Sequence, residues 1–200
     1  MIVMEKAMDS RSKDEKARAE IIKAAEDLFQ KWGLNKTTMG DIAKRAGKGK
    51  STLYYYYKSK EEIFDTVVLT ELDYVFSKAK EATLEANTAK EKMRRFLLSS
   101  LTELRNYACA FHIARTEIRR NFSFFERMRK RFEPREVSFI KEIITLGLKE
   151  NRYSFADDRE IETAAKIVAG IIHAMELYLL LENDDNAQID LATKFISDGL

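Results

Sequence analysis

Histidine is the first side chain to weigh for catalysis or metal binding, and this 200-residue chain has two, His112 and His173. A helical di-metal site needs a Glu three residues ahead of each His, so that both ligands share one face. Here those positions hold Cys109 and Gly170. His173 with Glu176 reverses the order and reads as a core histidine beside an acidic neighbour. Cys109 is the only cysteine, which excludes an intrachain disulfide and a Cys-based zinc site. No Gly-rich phosphate loop, nucleophile elbow or metal-ligand cluster is found. The expectation is a protein that is not an enzyme, with no catalytic residue, no metal and no cofactor.

The remaining chemistry is that of binding. Net charge is +2, but Met1 to Lys60 holds 14 basic and 8 acidic residues, a balance of +6, and the rest holds 21 and 25, a balance of −4. A positive field confined to the first third suits a polyanion at that end. A solvated helix face is the plainer explanation of such a charge bias. Within that third, Lys50, Ser51, Thr52 and Tyr55 share a side of one short helical segment. Small hydroxyl residues allow close approach to bases, while Lys50 and Tyr55 can reach base edges, thymine methyls or phosphates.

The elements that would position these groups are helical. Seven Gly and one Pro, Pro134, leave few breaks, and 45 % apolar residues can fill a core, so the fold class is all-α. From Ser12 the pattern is amphipathic, with Ile21, Ala25, Leu28 and Trp32 on one face and Gly33 as the stop. Thr38 and Asp41 form a capping box for a second helix that Gly47 ends. A third helix follows, with Leu53, Tyr56 and Tyr57 inward. Ser59 and Glu62 form a second box, opening a long helix to about Leu84. Further helices are expected over roughly 89–106, 107–120, 122–132, 135–150, 157–182 and 187–198. Two short helices around a glycine turn match a helix-turn-helix, a geometry also used for plain packing.

Ile21 to Phe64 closely resembles the DNA-binding segment of TetR/AcrR family regulators. The match runs through Trp32-Gly33, Thr37-Thr38, Asp41-Ile42-Ala43, Ala46-Gly47, Ser51-Thr52-Leu53-Tyr54, Tyr56 and Lys58-Ser59-Lys60-Glu61. This resemblance implies a homodimeric repressor on a pseudo-palindromic double-stranded DNA operator, released by a small-molecule effector. It implies a helix-turn-helix DNA-binding domain over 1–58 and an effector-binding and dimerisation domain over 59–200. Position by position, Thr38, Lys50, Thr52, Tyr54, Tyr56 and Lys60 fall where such proteins contact phosphates, and Ser51 and Tyr55 where they read bases. The chain departs from the pattern at Lys48, usually a small aliphatic, at Gly49, usually Ser, and at Gly40, often polar.

The remaining three-quarters has the family's general habit without a comparable motif. Phe96, Tyr107, Cys109, Phe111, His112, Phe122 and Phe125 form an apolar set that could line an effector cavity, with His112 or Tyr107 as a polar fixing point, or could be ordinary core. Arginines from Arg115 to Arg135 could meet an anionic effector, but they read better as a solvated face paired with acids. Ile161, Ala165, Val168, Ile172 and Leu179, with Ile189, Leu191, Ala192, Phe195 and Ile196, suit either a dimer through the last two helices or the internal core. A C-terminal domain that binds a protein partner or no ligand, and an architectural DNA binder, are the alternatives. No apolar run is long enough to span a membrane and no secretory signal is found, so the expected location is cytoplasmic.

Overall fold

The computed structural model describes residues 2–110, 122–152, 154–155, 157–181, 189–191 and 193–194, with side chains described over 13–106, 126–152 and 157–178 and at the remaining described positions outside helices and beyond 188. Every element among them is helical: α1 (Ile2–Lys36), α2 (Met39–Arg45), α3 (Lys50–Tyr56), α4 (Lys60–Ala82), α5 (Ala89–Ala110), α6 (Phe122–Lys149) and α7 (Asp158–Leu181). The chain divides into two compact units, Met1–Thr70 and Glu71–Leu200.

In the first unit, α1 starts at Ile2, ten residues before the amphipathic pattern becomes legible at Ser12. Its inward face is Ile21, Ala25, Leu28 and Phe29, all buried. Trp32, expected on that face, is 42 % exposed. The regular helix is broken one residue later, at Gly33 with φ 82° and ψ 166°. Phe29 meets Phe64 of α4 edge to face at 5.4 Å, which joins the start of α4 to this core. Ser59 caps α4 by accepting from the Glu62 N–H at 3.2 Å. The expected reciprocal half differs, because the Glu62 carboxylate accepts from the Lys58 N–H at 2.7 Å rather than from Ser59.

The second unit is built on α5, α6 and α7, which pack on one another. Phe96, Leu97, Ile140, Ala165 and Ile172 are fully buried at its centre, with Val75, Phe76 and Ala79 from the end of α4. Phe96 packs against Phe139 at 5.1 Å between ring centres, and Phe76 against Phe132 at 5.4 Å. The chain's one proline does not separate two helices as expected: α6 runs through Pro134 without ending. A mid-helix proline costs about 3 kcal/mol, and burial on both sides of it, by Met128 and Phe132 before and Val137, Phe139 and Ile140 after, outweighs that loss. Likewise α5 passes the expected boundary at 106 and reaches Ala110.

α7 carries two apolar faces. Ala165, Val168, Ala169 and Ile172 are buried in the unit's own core, with Ile161 packed against it. Ile167, Ile171 and Tyr178 are 59 %, 43 % and 51 % exposed, and Gly170 and Ala174 on the same side are exposed as well. Ile189 is buried and Leu191 exposed. Leu179 is described in its backbone only, and Ala192, Phe195 and Ile196 lie outside the described residues.

Candidate nucleic-acid interface

The second and third helices owe their geometry to local chemistry at each end. Thr38 caps α2: its hydroxyl accepts from the Asp41 N–H at 3.2 Å, and its own N–H donates to the Asp41 carboxylate at 3.0 Å. The same hydroxyl donates to that carboxylate at 2.6 Å, and these bonds from Thr38 hold the Asp41 carboxyl below its usual range. Just upstream, the buried Thr37 hydroxyl donates to the Gly33 carbonyl at 2.8 Å. At the other end Gly47 takes φ 65°. Its N–H donates to the Lys44 carbonyl at 3.2 Å and that of Lys48 to the Ala43 carbonyl at 2.9 Å, the two bonds of a Schellman turn. The turn needs a residue at positive φ, which is why glycine stands there.

α3 is then seated by Leu53 and Tyr57, 0 % and 4 % exposed. Its outer side presents Lys50, Ser51, Thr52, Tyr54 and Tyr55, all exposed, Tyr55 most of all at 76 %. Gly49, the N-cap residue, supplies no side-chain bond, in keeping with its departure from the usual serine. Lys48, the other departure, pairs with Glu20 of α1 at 2.7 Å and holds the Glu20 carboxyl below its ordinary value by hydrogen bond and charge. Arg45 pairs with Asp27 of α1 at 2.5 Å. These two bridges tie the turn and α2 to the first helix, where a small aliphatic at 48 would make only apolar contact.

Three of the expected contact residues have polar atoms engaged inside the unit. Thr38 is the cap just described. The Tyr56 hydroxyl donates to Asp14 at 2.8 Å, a bond that raises its phenol above the ordinary range. The Arg18 guanidinium lies over the Tyr56 and Tyr57 rings at 5.2 and 5.5 Å. The Lys60 ammonium donates to the carbonyls of Leu34, Asn35 and Thr37 at 2.8, 3.3 and 3.2 Å. It thereby satisfies the electronegative end of the first helix.

Of the expected effector set, Phe96 is a fully buried core residue between Phe76 and Phe139. Phe111 and His112 lie outside the described residues, as do the side chains of Tyr107, Cys109, Phe122 and Phe125. A polar pair that sequence reasoning missed is buried in the same unit: Glu136 Oε2 and His173 Nε2 are 2.6 Å apart, with side chains 4 % and 8 % exposed. Glu136 sits in an arginine-rich stretch and reads there as a surface residue. The available signal was its placement between Phe132 and Ile140, at core-facing spacing. Among the described residues no group of three or more His, Cys, Asp or Glu is arranged to hold a metal ion, and no helix is long and apolar enough to cross a membrane.

Known proteins agree with this architecture. Residues 21–67 match the family model of bacterial regulatory proteins of the tetR family. The chain is 30 % identical over 129 residues to the HTH-type transcriptional regulator YhgD of Bacillus subtilis, covering 64 % of this chain and 68 % of that protein. It is 26 % identical over 167 residues to the HTH-type transcriptional repressor KstR2 of Mycolicibacterium smegmatis, covering 81 % and 78 %. Among solved structures, the Bacillus subtilis regulator FadR in complex with stearoyl-CoA superposes with a TM-score of 0.66 at 21 % identity, covering 91 % of this chain and 98 % of that one. With its capped α2, its glycine turn and its exposed α3 face, the chain belongs to the TetR family of transcriptional regulators, DNA-binding proteins rather than enzymes.

Proposed function

We propose that this regulator is a repressor that binds a pseudo-palindromic duplex operator as a homodimer and is released by a small apolar or amphipathic effector. The observation that carries the reading is the outer side of α3, where Lys50, Ser51, Thr52, Tyr54 and Tyr55 stand exposed on a helix fixed by buried Leu53 and Tyr57. In this reading Ser51 and Tyr55 read bases, and Lys50, Thr52 and Tyr54 hold phosphates. Thr38, Tyr56 and Lys60 stand at the phosphate-facing rim and contribute chiefly by fixing the helices through the bonds they make within the unit. The 1–58 segment acts on DNA and 59–200 on the effector and the second subunit.

The dimer forms through α7 and the segment around Leu191. Ile167, Gly170, Ile171, Ala174 and Tyr178 recur at helical spacing on an exposed face, and an apolar stripe of that length on a surface helix supports a partner helix packed against it. The solved FadR holds stearoyl-CoA, and an apolar or amphipathic effector is the class proposed here. Effector binding alters operator affinity through α4, by favouring one of two conformations of unequal affinity. The setting is the cytoplasm, where operator DNA resides.

Selection from a pool of random duplexes at stated salt tests the core of this reading. Enrichment of an inverted repeat is expected, with half-sites about one helical turn apart or a multiple of it. Absence of any enriched sequence with protein stripped of small molecules would overturn it.

A further inference from the structure

Tyr55 is 76 % exposed, yet its ring has a partner. It meets the Tyr56 ring edge to face, at 5.0 Å between centres and 83° between planes. Side chains one position apart on a helix diverge by about 100° and do not normally face each other. These two meet because both rings turn toward each other at the end of α3.

Tyr56 is in turn gripped from α1, 42 positions earlier in the chain. Its hydroxyl donates to the Asp14 carboxylate at 2.8 Å, and the Arg18 guanidinium lies over its ring at 5.2 Å. Asp14 and Arg18 are one turn apart on α1, so a single face holds the tip of the phenol and covers its ring. Tyr56 cannot change rotamer without losing both contacts. Both α1 residues lie ahead of residues 21–67, the segment that matches the family model. The grip therefore comes from outside the reading head that the family shares. An exposed tyrosine otherwise exchanges rotamers freely. A ring already held in one orientation gives up less freedom on binding and offers no second orientation to a wrong base.

We propose that Asp14 and Arg18 are positioning residues for base recognition, which act through Tyr56 to fix the Tyr55 ring in the orientation that reads its base pair. This rests on the reading that Tyr55 meets a base, and adds where that specificity is set. The Tyr56 hydroxyl stays on Asp14 in the complex rather than moving to a phosphate.

The test titrates the full-length protein, at one salt concentration, with the duplex recovered by selection and with duplexes changed at one base pair each. The quantity read is the affinity ratio of selected to changed duplex at each position. Tyr55→Ala is expected to lower that ratio about tenfold at its base pair. Asp14→Ala and Arg18→Gln should each lower it about threefold at the same base pair, and Asp14→Ala should add nothing in the Tyr55→Ala background. Asp14→Asn removes the same charge but keeps an oxygen that accepts, so it should retain the parent ratio. Tyr56→Phe keeps the ring and loses the donor, and it reports even if Asp14→Ala fails to fold. A parent ratio in folded Asp14→Ala, an equal loss in Asp14→Asn, or a loss that persists without the Tyr55 ring overturns the proposal alone. So does a Tyr56→Phe loss that is equal on every duplex, which would put the hydroxyl on a phosphate. If selection enriches no duplex, or Tyr55→Ala changes no ratio, the base-reading role falls and the proposal with it.

Discussion

The Lys60 ammonium donates to the carbonyl oxygen of Leu34 across 2.8 Å, and to two further carbonyls beyond it. Lys60 opens α4 and Leu34 lies just past the Gly33 break, so one side chain closes the end of the first helix and fixes the start of the fourth. Replacing it by methionine should lower unfolding stability by about 1–2 kcal/mol, the range for bonds to a charged group discounted for partial exposure. Lys50→Met, on the exposed side of α3, should leave stability within about 0.5 kcal/mol and reduce the salt dependence of operator binding by about one counterion. Urea denaturation and a salt titration of DNA affinity read both. A stable Lys60→Met with a reduced salt slope would place that ammonium on a phosphate instead.

Tyr55 and Tyr57 stand two residues apart with opposite exposures, 76 % and 4 %. Tyr55→Ala should keep the melting temperature and relax base preference, losing about 1–3 kcal/mol of discrimination at its base pair. Tyr57→Ala empties a core position and should cost about 3–5 kcal/mol of stability. Equal loss of affinity for every sequence in folded Tyr55→Ala would remove it from base reading.

The two turn glycines should respond in opposite directions. Gly47 is held at φ 65°, so Gly47→Ala is expected to cost about 1–2 kcal/mol. Gly49 has φ −70° and makes no side-chain cap, and a Cβ there would meet Thr52 and Ser51 oxygens only at 3.6 and 3.7 Å. Gly49→Ser therefore fits and should stabilise by a few tenths of a kcal/mol, about what a serine cap gains over glycine. Thermal melts of the two variants should move to either side of the parent.

The reading head was legible because its signals are local. Thr38 with Asp41, Gly47 at the turn, and the spacing of Leu53 and Tyr57 each state a cap, a stop or a face within a few residues. The second unit was less so, because tertiary burial decides it. Pro134 signals a break that core packing of Phe132 and Phe139 overrides, and Glu136 looks solvated until α7 covers it. α7 is apolar on two sides, and its pattern alone does not say which side meets the chain's own core. The structure assigns Ala165, Val168 and Ile172 to that core and leaves Ile167, Ile171 and Tyr178 outside.

That outer stripe gives a test of the dimer. No neighbouring atom lies within 4 Å of a Cβ built on Gly170, so Gly170→Arg is accommodated in a single subunit and should even favour the helix by about 1 kcal/mol. If α7 pairs with its symmetry mate, the same change introduces a charge and bulk between the helices. Sedimentation should then show a folded monomer with weakened affinity for a two-half-site operator. An unchanged dimer would move the interface elsewhere.

The pH dependence of stability follows from a half-buried carboxyl. Glu176 rises from 4.5 in the unfolded chain to about 8 in the fold, through burial first and the charge of Glu136 second. A carboxyl with a raised folded value stabilises fully below 4.5, and that contribution is lost as pH rises toward 8, because the unfolded state releases the proton first. His173, raised above 6.5 by Glu136 against the opposing effect of burial, acts in the same direction above 6.5. Melting temperature should therefore fall steadily between about pH 5 and pH 8.5. Glu176→Gln cannot titrate and should flatten the curve, leaving the contributions of His173 above 6.5 and of Glu26, whose carboxyl burial also raises. A Glu176→Gln protein that keeps the full slope would mean that the carboxyl is ionised in the fold and that the titration belongs to other groups.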